Sequence, residues 1–518
     1  MGYGVMNVKV FAAIDIGSFE TAMKIYEISA KNGMKEIDHI RHRLSLGYDS
    51  YNTGRISYRK IDELCHVLNK FRDIMKTYGA SDYKVYGTSA LRETDNTVII
   101  QDQIFNRTGF KVEVLSNSEQ RLLDYKSVAS MGSKFNKIIE SGSAIVDIGG
   151  ASAQMSLFDN DSLVSTQSFG IGVLTLYDRI TSMKQGPERS QEILEQLIYN
   201  ELSIFKKLYI KDREINTLIV VDDYISGIIK SGIIPGSKDG LISTEDFLAF
   251  FNECIATSNE TLSDKLDITE EMTYLMKISS SILKVIIENN ATRRIWAPGV
   301  ALCDGIAYEY AESKKMKIIA HDFEKDIIDA AINISKRYIG SKKRSLALSN
   351  IALTIYDAMA SIHGLSKRDR FLLRLAVILH ECGKFINTSN VGECSYSIIM
   401  NTEMIGLSHR EREIVASVVK YYYEPFLYYK ELDDNRLDED TYLRIAKLTA
   451  ILKVAGNLDR GSKQKVRDIS AKLSDDKLII YVSEEDDLVF IKEAFDKNAA
   501  FFGEVYSIEP VISFAKAK

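Results

Sequence analysis

An α/β protein with two similar lobes facing a cleft, then a helical domain and a small α+β cap, is what this 518-residue sequence predicts. Three observations carry the prediction. An apolar run ending in Asp15-Ile-Gly17-Ser18 returns 132 residues later as Asp147-Ile-Gly149-Gly150. Strand-like and helix-like stretches alternate as far as about Tyr310, the pattern of layered α/β domains. From Phe323 to about Leu458 the apolar spacing becomes almost wholly helical, and strands return only in the tail. A repeat of that length in two copies is too long for a solenoid unit and fits two lobes.

Taken in order, the residues at 8–16, 22–28 and 36–43 read as three successive strands, the first almost wholly apolar. Ile61, Leu64, Cys65, Leu68, Phe71 and Met75 recur at helical spacing and predict a helix over 58–78. Strands are expected at 84–88 and 111–115, and helices at 96–107 and 119–131. The second Asp-Ile-Gly run is again followed by two strand-like stretches, 153–158 and 163–169. Residues 217–221 and 294–301 read as buried strands. In the tail, strands at 465–473, 478–482 and 511–514 flank a helix at 486–498. These readings divide the chain into lobes at 1–128 and 129–312, a helical domain at 313–462 and a cap at 463–518.

Composition narrows the function classes. The hydrophobic fraction of 45% and charged fraction of 27% are those of a globular chain. Net charge is −6, so a polyanionic ligand needs a local positive field. Lys336, Arg337, Lys342, Lys343 and Arg344 form one basic cluster, read first as a solvated helix end and second as a binding patch. Five scattered cysteines without a CxxC pair fit a reducing compartment better than a disulfide framework or a zinc site. No stretch has membrane-spanning length and no signal peptide is read, so the expected location is cytoplasmic, away from membranes and without a specific nucleic-acid partner.

A glycine turn after a strand aims several backbone N–H groups into one space, where they cradle phosphate oxygens. An Asp at the strand end can hold a hydrated Mg²⁺ that bridges to phosphate. A single Asp-Ile-Gly is more simply a hairpin turn with a capping Asp. Two copies at equivalent places reverse that weighting.

Further segments connect these loops to a family. Leu46-Gly47 and Thr53-Gly54-Arg55-Ile56-Ser57, Thr88-Ser89-Ala90-Leu91-Arg92-Glu93 with Asn96, Ser116 to Leu122, and Asp147 to Gln154 occur in the order of the Ppx/GppA exopolyphosphatase and pppGpp phosphohydrolase family, which the chain resembles. The resemblance implies the ribonuclease-H-like, actin-like superfold and hydrolysis of a terminal phosphoanhydride of polyphosphate or a guanosine polyphosphate. It implies Mg²⁺ (or Mn²⁺) as cofactor and a homodimer. By the same resemblance, Glu119 and Asp147 are the catalytic carboxylates. Gly17, Ser18, Arg92, Gly149, Gly150 and Ser152 bind phosphate, and Asp15, Asp147 and Gln154 hold the metal. Arg92 suits its role because a guanidinium presents a fork of donors.

Departures from the family pattern cluster at the site. Phe19 and Glu20 replace Asn-Ser, Ala151 a Gly, Ala153 a Thr and Gln154 a Glu. Asp222 and Asp223 stand where a Gly-Gly-Thr loop is usual. They motivate an alternative, a polyphosphate- or alarmone-binding regulator with weakened catalysis. A sugar or acid kinase on the same superfold fits the segments at 88–96 and 116–122 less well. In the helical domain, His380-Glu381 resembles the metal-binding helix of HD-type phosphohydrolases. Glu381 replaces the Asp, Arg344 stands at the upstream His position, and Asp459 either keeps the last ligand place or ends a helix. His380 is therefore expected to be a packed core histidine in a non-catalytic HD-like domain.

Overall fold

The computed structural model describes residues 8–316, 321–432, 437–458, 469–482 and 489–514. The chain divides into two compact units, Met1–Phe323 and Glu324–Lys518.

In the first unit, β1 (Lys9–Ile16), β2 (Glu20–Ser29) and β3 (Gly33–Arg43) form an antiparallel meander, with β4 (Asp82–Gly87) and β5 (Glu113–Val114) parallel to β1 on its other side. The order is β3-β2-β1-β4-β5. Parallel strands need crossovers, here the helices Tyr58–Tyr78 and Thr97–Thr108. The second lobe has β6 (Ser143–Ile148), β7 (Ala153–Asp159), β8 (Ser162–Phe169), β9 (Thr217–Asp222), β10 (Leu241–Ser243) and β11 (Arg294–Trp296). Its order, β8-β7-β6-β9-β11, repeats the first sheet, and β10 adds an antiparallel edge. The register repeats as well. Asp15 stands opposite Ala22 across β1 and β2, and Asp147 opposite Gln154 across β6 and β7. Both strands are almost wholly buried, as expected of central strands covered on both faces.

Two strands are shorter than their sequence pattern suggests. β11 stops at Trp296, because Pro298 offers no N–H and Gly299 turns away with φ +74°. β5 keeps only Glu113 and Val114. The following helix, Asn117–Ala129, starts two residues earlier than its pattern implies, since Ser116 caps it by accepting from the Glu119 amide.

That helix packs against helix Leu302–Ser313 and is enclosed on nearly all sides, so Arg121, Asp124, Lys126 and Ser127 are buried. Asp304, on the second of these helices, accepts from Lys24 Nζ and Tyr26 OH, each at 2.9 Å, and so fixes that helix to β2. Phe19 leaves the first lobe and joins the core of the second, 6.2 Å from the Tyr224 ring. Burial of such a side chain is worth about 2 kcal/mol and holds the lobes together.

The second unit is helical from Phe323–Arg337 through Glu439–Leu458, as its periodicity predicts. It ends in a three-stranded sheet of Ile469–Ser474, Lys477–Val482 and Glu509–Phe514, with helix Val489–Tyr506 packed on helix Glu439–Leu458. The start of the tail strand expected from Lys465, and Asp459, lie outside the described residues. No helix among the described residues is long and apolar enough to cross a membrane.

Candidate active site

The two Asp-Ile-Gly turns are built alike. Gly17 N–H donates to the Glu20 carbonyl at 3.0 Å, and Gly149 N–H to the Ser152 carbonyl at 3.0 Å. A Cβ at Gly17 would stand 2.8 Å from that carbonyl, which is why the turn needs glycine. The turns also touch. A Cβ at Gly150 would lie 3.1 Å from Ser18 Cβ and 3.0 Å from Leu174 Cδ1. Ser18 Oγ lies 2.5 Å from Tyr51 OH and 2.7 Å from Ser89 Oγ, so three hydroxyls gather beside the first turn. The second turn is tied to helix Val173–Ser182, whose first amides donate to the Gly149 and Gly150 carbonyls. Both turns therefore converge on one cleft at the carboxyl ends of β1 and β6, the customary place for a ligand in an α/β sheet.

Carboxylates line this cleft. Asp15 ends β1 and Asp147 ends β6. Asp124, 4% exposed, hydrogen-bonds to Asp147. Burial first, then Asp147, holds the Asp124 carboxyl well above the usual range. Burial first, then Asp223, Glu20 and Asp147, does the same to Asp15. Asp147 is pushed up to about 6 by burial, and its hydrogen bond with Asp124 and the Arg121 cation restrain the rise.

Arg121 is 3% exposed; its Nε donates to Gln154 Oε1 and its Nη1 to Thr166 Oγ1 at 3.0 Å. The amide oxygen of Gln154, expected to hold the metal, faces the Arg121 guanidinium, whose charge disfavours a cation at that oxygen. Arg92 Nη1 donates to the Leu115 carbonyl at 2.9 Å and to Gln120 Oε1 at 3.3 Å, with its charge felt at Asp147. Ser152 closes the second turn through its carbonyl.

Glu119 caps its own helix. Its Oε2 accepts from the Ser116 amide at 3.0 Å and from Ser116 Oγ at 2.6 Å, closing a capping box.

The departures at 19–20 and 222–223 find physical partners. Arg41 Nε donates to Glu20 Oε1 at 2.5 Å, and its Nη2 lies 3.9 Å from Asp223. Asp222 turns inward: it accepts from the amides of Ile225 and Ser226 and from Ser279 Oγ at 2.5 Å. Asp223 faces the cleft with 49% of its side chain accessible. Burial and then Glu20 raise its carboxyl, and the Arg41 cation restrains the rise.

Among the described residues no three His, Cys, Asp or Glu side chains stand close enough to enclose a metal ion. Mg²⁺ does not require such a cage; it keeps waters and takes one or two carboxylates beside substrate phosphate. Asp15 Oδ1 and Asp124 Oδ2 are buried with no hydrogen-bond partner. An all-oxygen donor set with unspent acceptors fits a hard divalent cation.

In the second unit, Arg344 Nη1 donates to Glu381 Oε1 at 2.7 Å and Lys384 Nζ to the same oxygen at 2.5 Å. Arg344 and Glu381 thus pair with each other. His380 is 1% exposed, its Nδ1 lies 2.6 Å from the Val377 carbonyl, and burial lowers it to about 4.

Asp124 escaped the sequence reading. The signal was present: an Asp between Leu123 and Tyr125, one helical turn beyond Arg121, on a helix with no solvent face. Arg41 and Tyr51 offered no such signal, since strand and helix patterns alone do not show which lobe edge they reach.

The model of the Ppx/GppA phosphatase family matches residues 24–314, beginning past the first turn, and that of Ppx/GppA phosphatase domain III matches 329–494. A guanosine-5'-triphosphate,3'-diphosphate pyrophosphatase of Pseudoalteromonas translucida is 23% identical over 458 residues, 86% of this chain and 87% of the relative. That of Photobacterium profundum is 22% identical over 418 residues, 80% of each chain. Among solved structures, an exopolyphosphatase from Cytophaga hutchinsonii aligns with TM-score 0.51 at 19% identity, over 60% of this chain and 100% of that one. An Aquifex aeolicus Ppx/GppA family member aligns at 0.50 and 18%, over 60% and 100%. At these identities the solved structures establish the actin-like fold, and the family models span more than half of the chain. The chain belongs to the Ppx/GppA phosphatase family.

Proposed function

We propose that this protein is a hydrolase that releases the terminal phosphate of inorganic polyphosphate or of a guanosine polyphosphate such as pppGpp. One observation carries the reading: two equivalent glycine turns and three carboxylates, the half-buried Asp15 and Asp147 and the buried Asp124, share one cleft with Arg92 and Arg121. The relatives named above support the substrate class, and family membership supports the reaction.

In this reading the turns at Gly17-Ser18 and Gly149-Gly150-Ala151-Ser152 hold phosphate oxygens through backbone amides. Arg92 turns its guanidinium from Gln120 to the terminal phosphate, a charge-assisted bond stronger than the one it leaves. Asp147 orients the attacking water and accepts its proton, because a carboxylate within hydrogen-bond reach of that water suits the base role. Asp124 fixes the Asp147 carboxylate through their shared hydrogen bond. Arg121 keeps Asp147 from rising further. Asp15 and Asp147 are the residues that would hold Mg²⁺ (or Mn²⁺), which would neutralise charge on the phosphate undergoing transfer. Glu119 keeps a supporting place as the cap of the helix that carries Arg121 and Asp124.

The helical domain, as an HD-like scaffold without its own metal, and a homodimer complete the proposal; the solution mass tests the dimer. Phosphate release from long-chain polyphosphate and from pppGpp, with and without Mg²⁺, tests the activity. Release from neither, with binding of one retained, would leave the regulator reading.

A further inference from the structure

A second cavity, of about 890 Å³, lies at the opposite end of the second lobe's sheet from the cleft. Ser141 precedes β6, Asn216 precedes β9 and Arg294 begins β11, and all three line it. Asp147 is at the far end of β6, a strand of six residues, so the two places are roughly 20 Å apart at about 3.3 Å per residue. Nothing in the proposed reaction uses this cavity.

Its lining carries four cations, Lys134, Lys238, Arg293 and Arg294, against two carboxylates, Asp239 and Asp246. One carboxylate is engaged: Asp246 accepts from Ser243 Oγ at 2.7 Å in the cap of helix Thr244–Ala256. Lys134 is held in place, with Nζ donating to the Asp239 carbonyl at 3.2 Å and lying 4.9 Å from the centre of the Trp296 ring. Lys238, Arg293 and Arg294 are exposed and form no ion pair or side-chain hydrogen bond among the described residues. On this chain most arginines beside a carboxylate are paired, as Arg41, Arg107, Arg368 and Arg370 are. A chain of net charge −6 has here gathered adjacent guanidinium groups without ion-pair partners round a concavity. Guanidinium forks match phosphate geometry.

We infer that this cavity is a second anion site, outside the catalytic cleft, that takes a run of phosphate groups through Arg293, Arg294 and Lys238. The phosphate class rests on the function proposed above; the concentration of positive charge does not. Two sources share this chemistry, a distal stretch of a long polyphosphate chain and the phosphates of a free nucleotide.

The test is calorimetric titration of inorganic tripolyphosphate, long-chain polyphosphate and GTP into Asp147→Asn, which suppresses turnover, with and without Arg293→Gln/Arg294→Gln. Lys238→Gln serves as a milder second variant, and all three positions are exposed, so folding is preserved. The expected result is a second class of sites for at least one probe, weakened tenfold or more by the double change, less by Lys238→Gln, and by added salt. A loss confined to long-chain polyphosphate identifies the chain as the source; a loss confined to GTP identifies a nucleotide. Identical titrations of the parent and the double variant with all three probes would overturn the inference. If wild type releases no phosphate from any substrate while the second class is present and lost in the double variant, the hydrolase reading fails and this site stands. If release proceeds and the double variant titrates like its parent, this inference alone fails.

Discussion

The carboxyl group of Asp124 is hydrogen-bonded to that of Asp147, so a helix of the first lobe and a strand of the second meet through two acids. Such a contact needs a proton or a cation between the partners. Asp147→Asn keeps the shape and removes the base. Phosphate release should fall by roughly a hundredfold or more, with substrate binding retained. Asp124→Asn should lower kcat by about tenfold with little change in KM. Steady-state kinetics of both variants check this.

The same acids set a pH dependence of stability. The usual Asp value is 3.8 and that of Asp147 in the folded protein is about 6. Its folded value is raised, so the folded state binds the proton more tightly. The stabilisation from this group is complete below the unfolded value and is lost as pH rises through about 6. Metal-free wild type should therefore lose more stability between pH 5 and pH 7.5 than Asp147→Asn loses over the same range. Asp147→Asn should flatten the dependence, and Mg²⁺ should restore stability at pH 7.5. Thermal unfolding across that pH range, with and without Mg²⁺, measures all three.

Arg41 answers Glu20 beside the first turn, and the pair explains how a carboxylate is tolerated there. Burial alone would lower the Arg41 guanidinium; Glu20 outweighs it. Arg41→Ala should leave Glu20 uncompensated and raise KM for a polyanionic substrate several-fold, with a smaller effect on kcat. Arg41→Ala/Glu20→Gln should recover most of the loss, which a double-mutant cycle resolves.

Gly150 lets the two turns approach. Adding a methyl group there meets Leu174 Cδ1 at 3.0 Å and Ser18 Cβ at 3.1 Å. Gly150→Ala should cost about 1–3 kcal/mol in stability, read as a lowered Tm, and reduce activity by moving the turns apart.

Much of the fold was legible because its signals are local. The Asp-Ile-Gly repeat exposed the two lobes, and the same strand register and Gly-to-carbonyl bond recur at both copies. The helical stretch after Phe323 followed from its apolar spacing. The site was less legible. Glu119 sits in a motif that serves equally well as a helix cap, and Ser116 decides between the two uses only in three dimensions. Gln154 suggested a metal ligand by position, but Arg121, 33 residues earlier, takes its oxygen. Asp124 acts through Asp147, across the lobe boundary, a relationship that residue spacing within one helix does not contain.

In the proposed reaction Asp147, supported by Asp124, is the base and Glu119 is a helix cap. The most direct measurement is Mg²⁺-dependent phosphate release from polyphosphate and pppGpp by wild type, Asp147→Asn and Glu119→Gln side by side. The account predicts release by wild type and loss of roughly a hundredfold in Asp147→Asn. Glu119→Gln should lose less than about tenfold and up to about 1 kcal/mol of stability from the weakened cap. Full loss in Glu119→Gln with Asp147→Asn still active would contradict it.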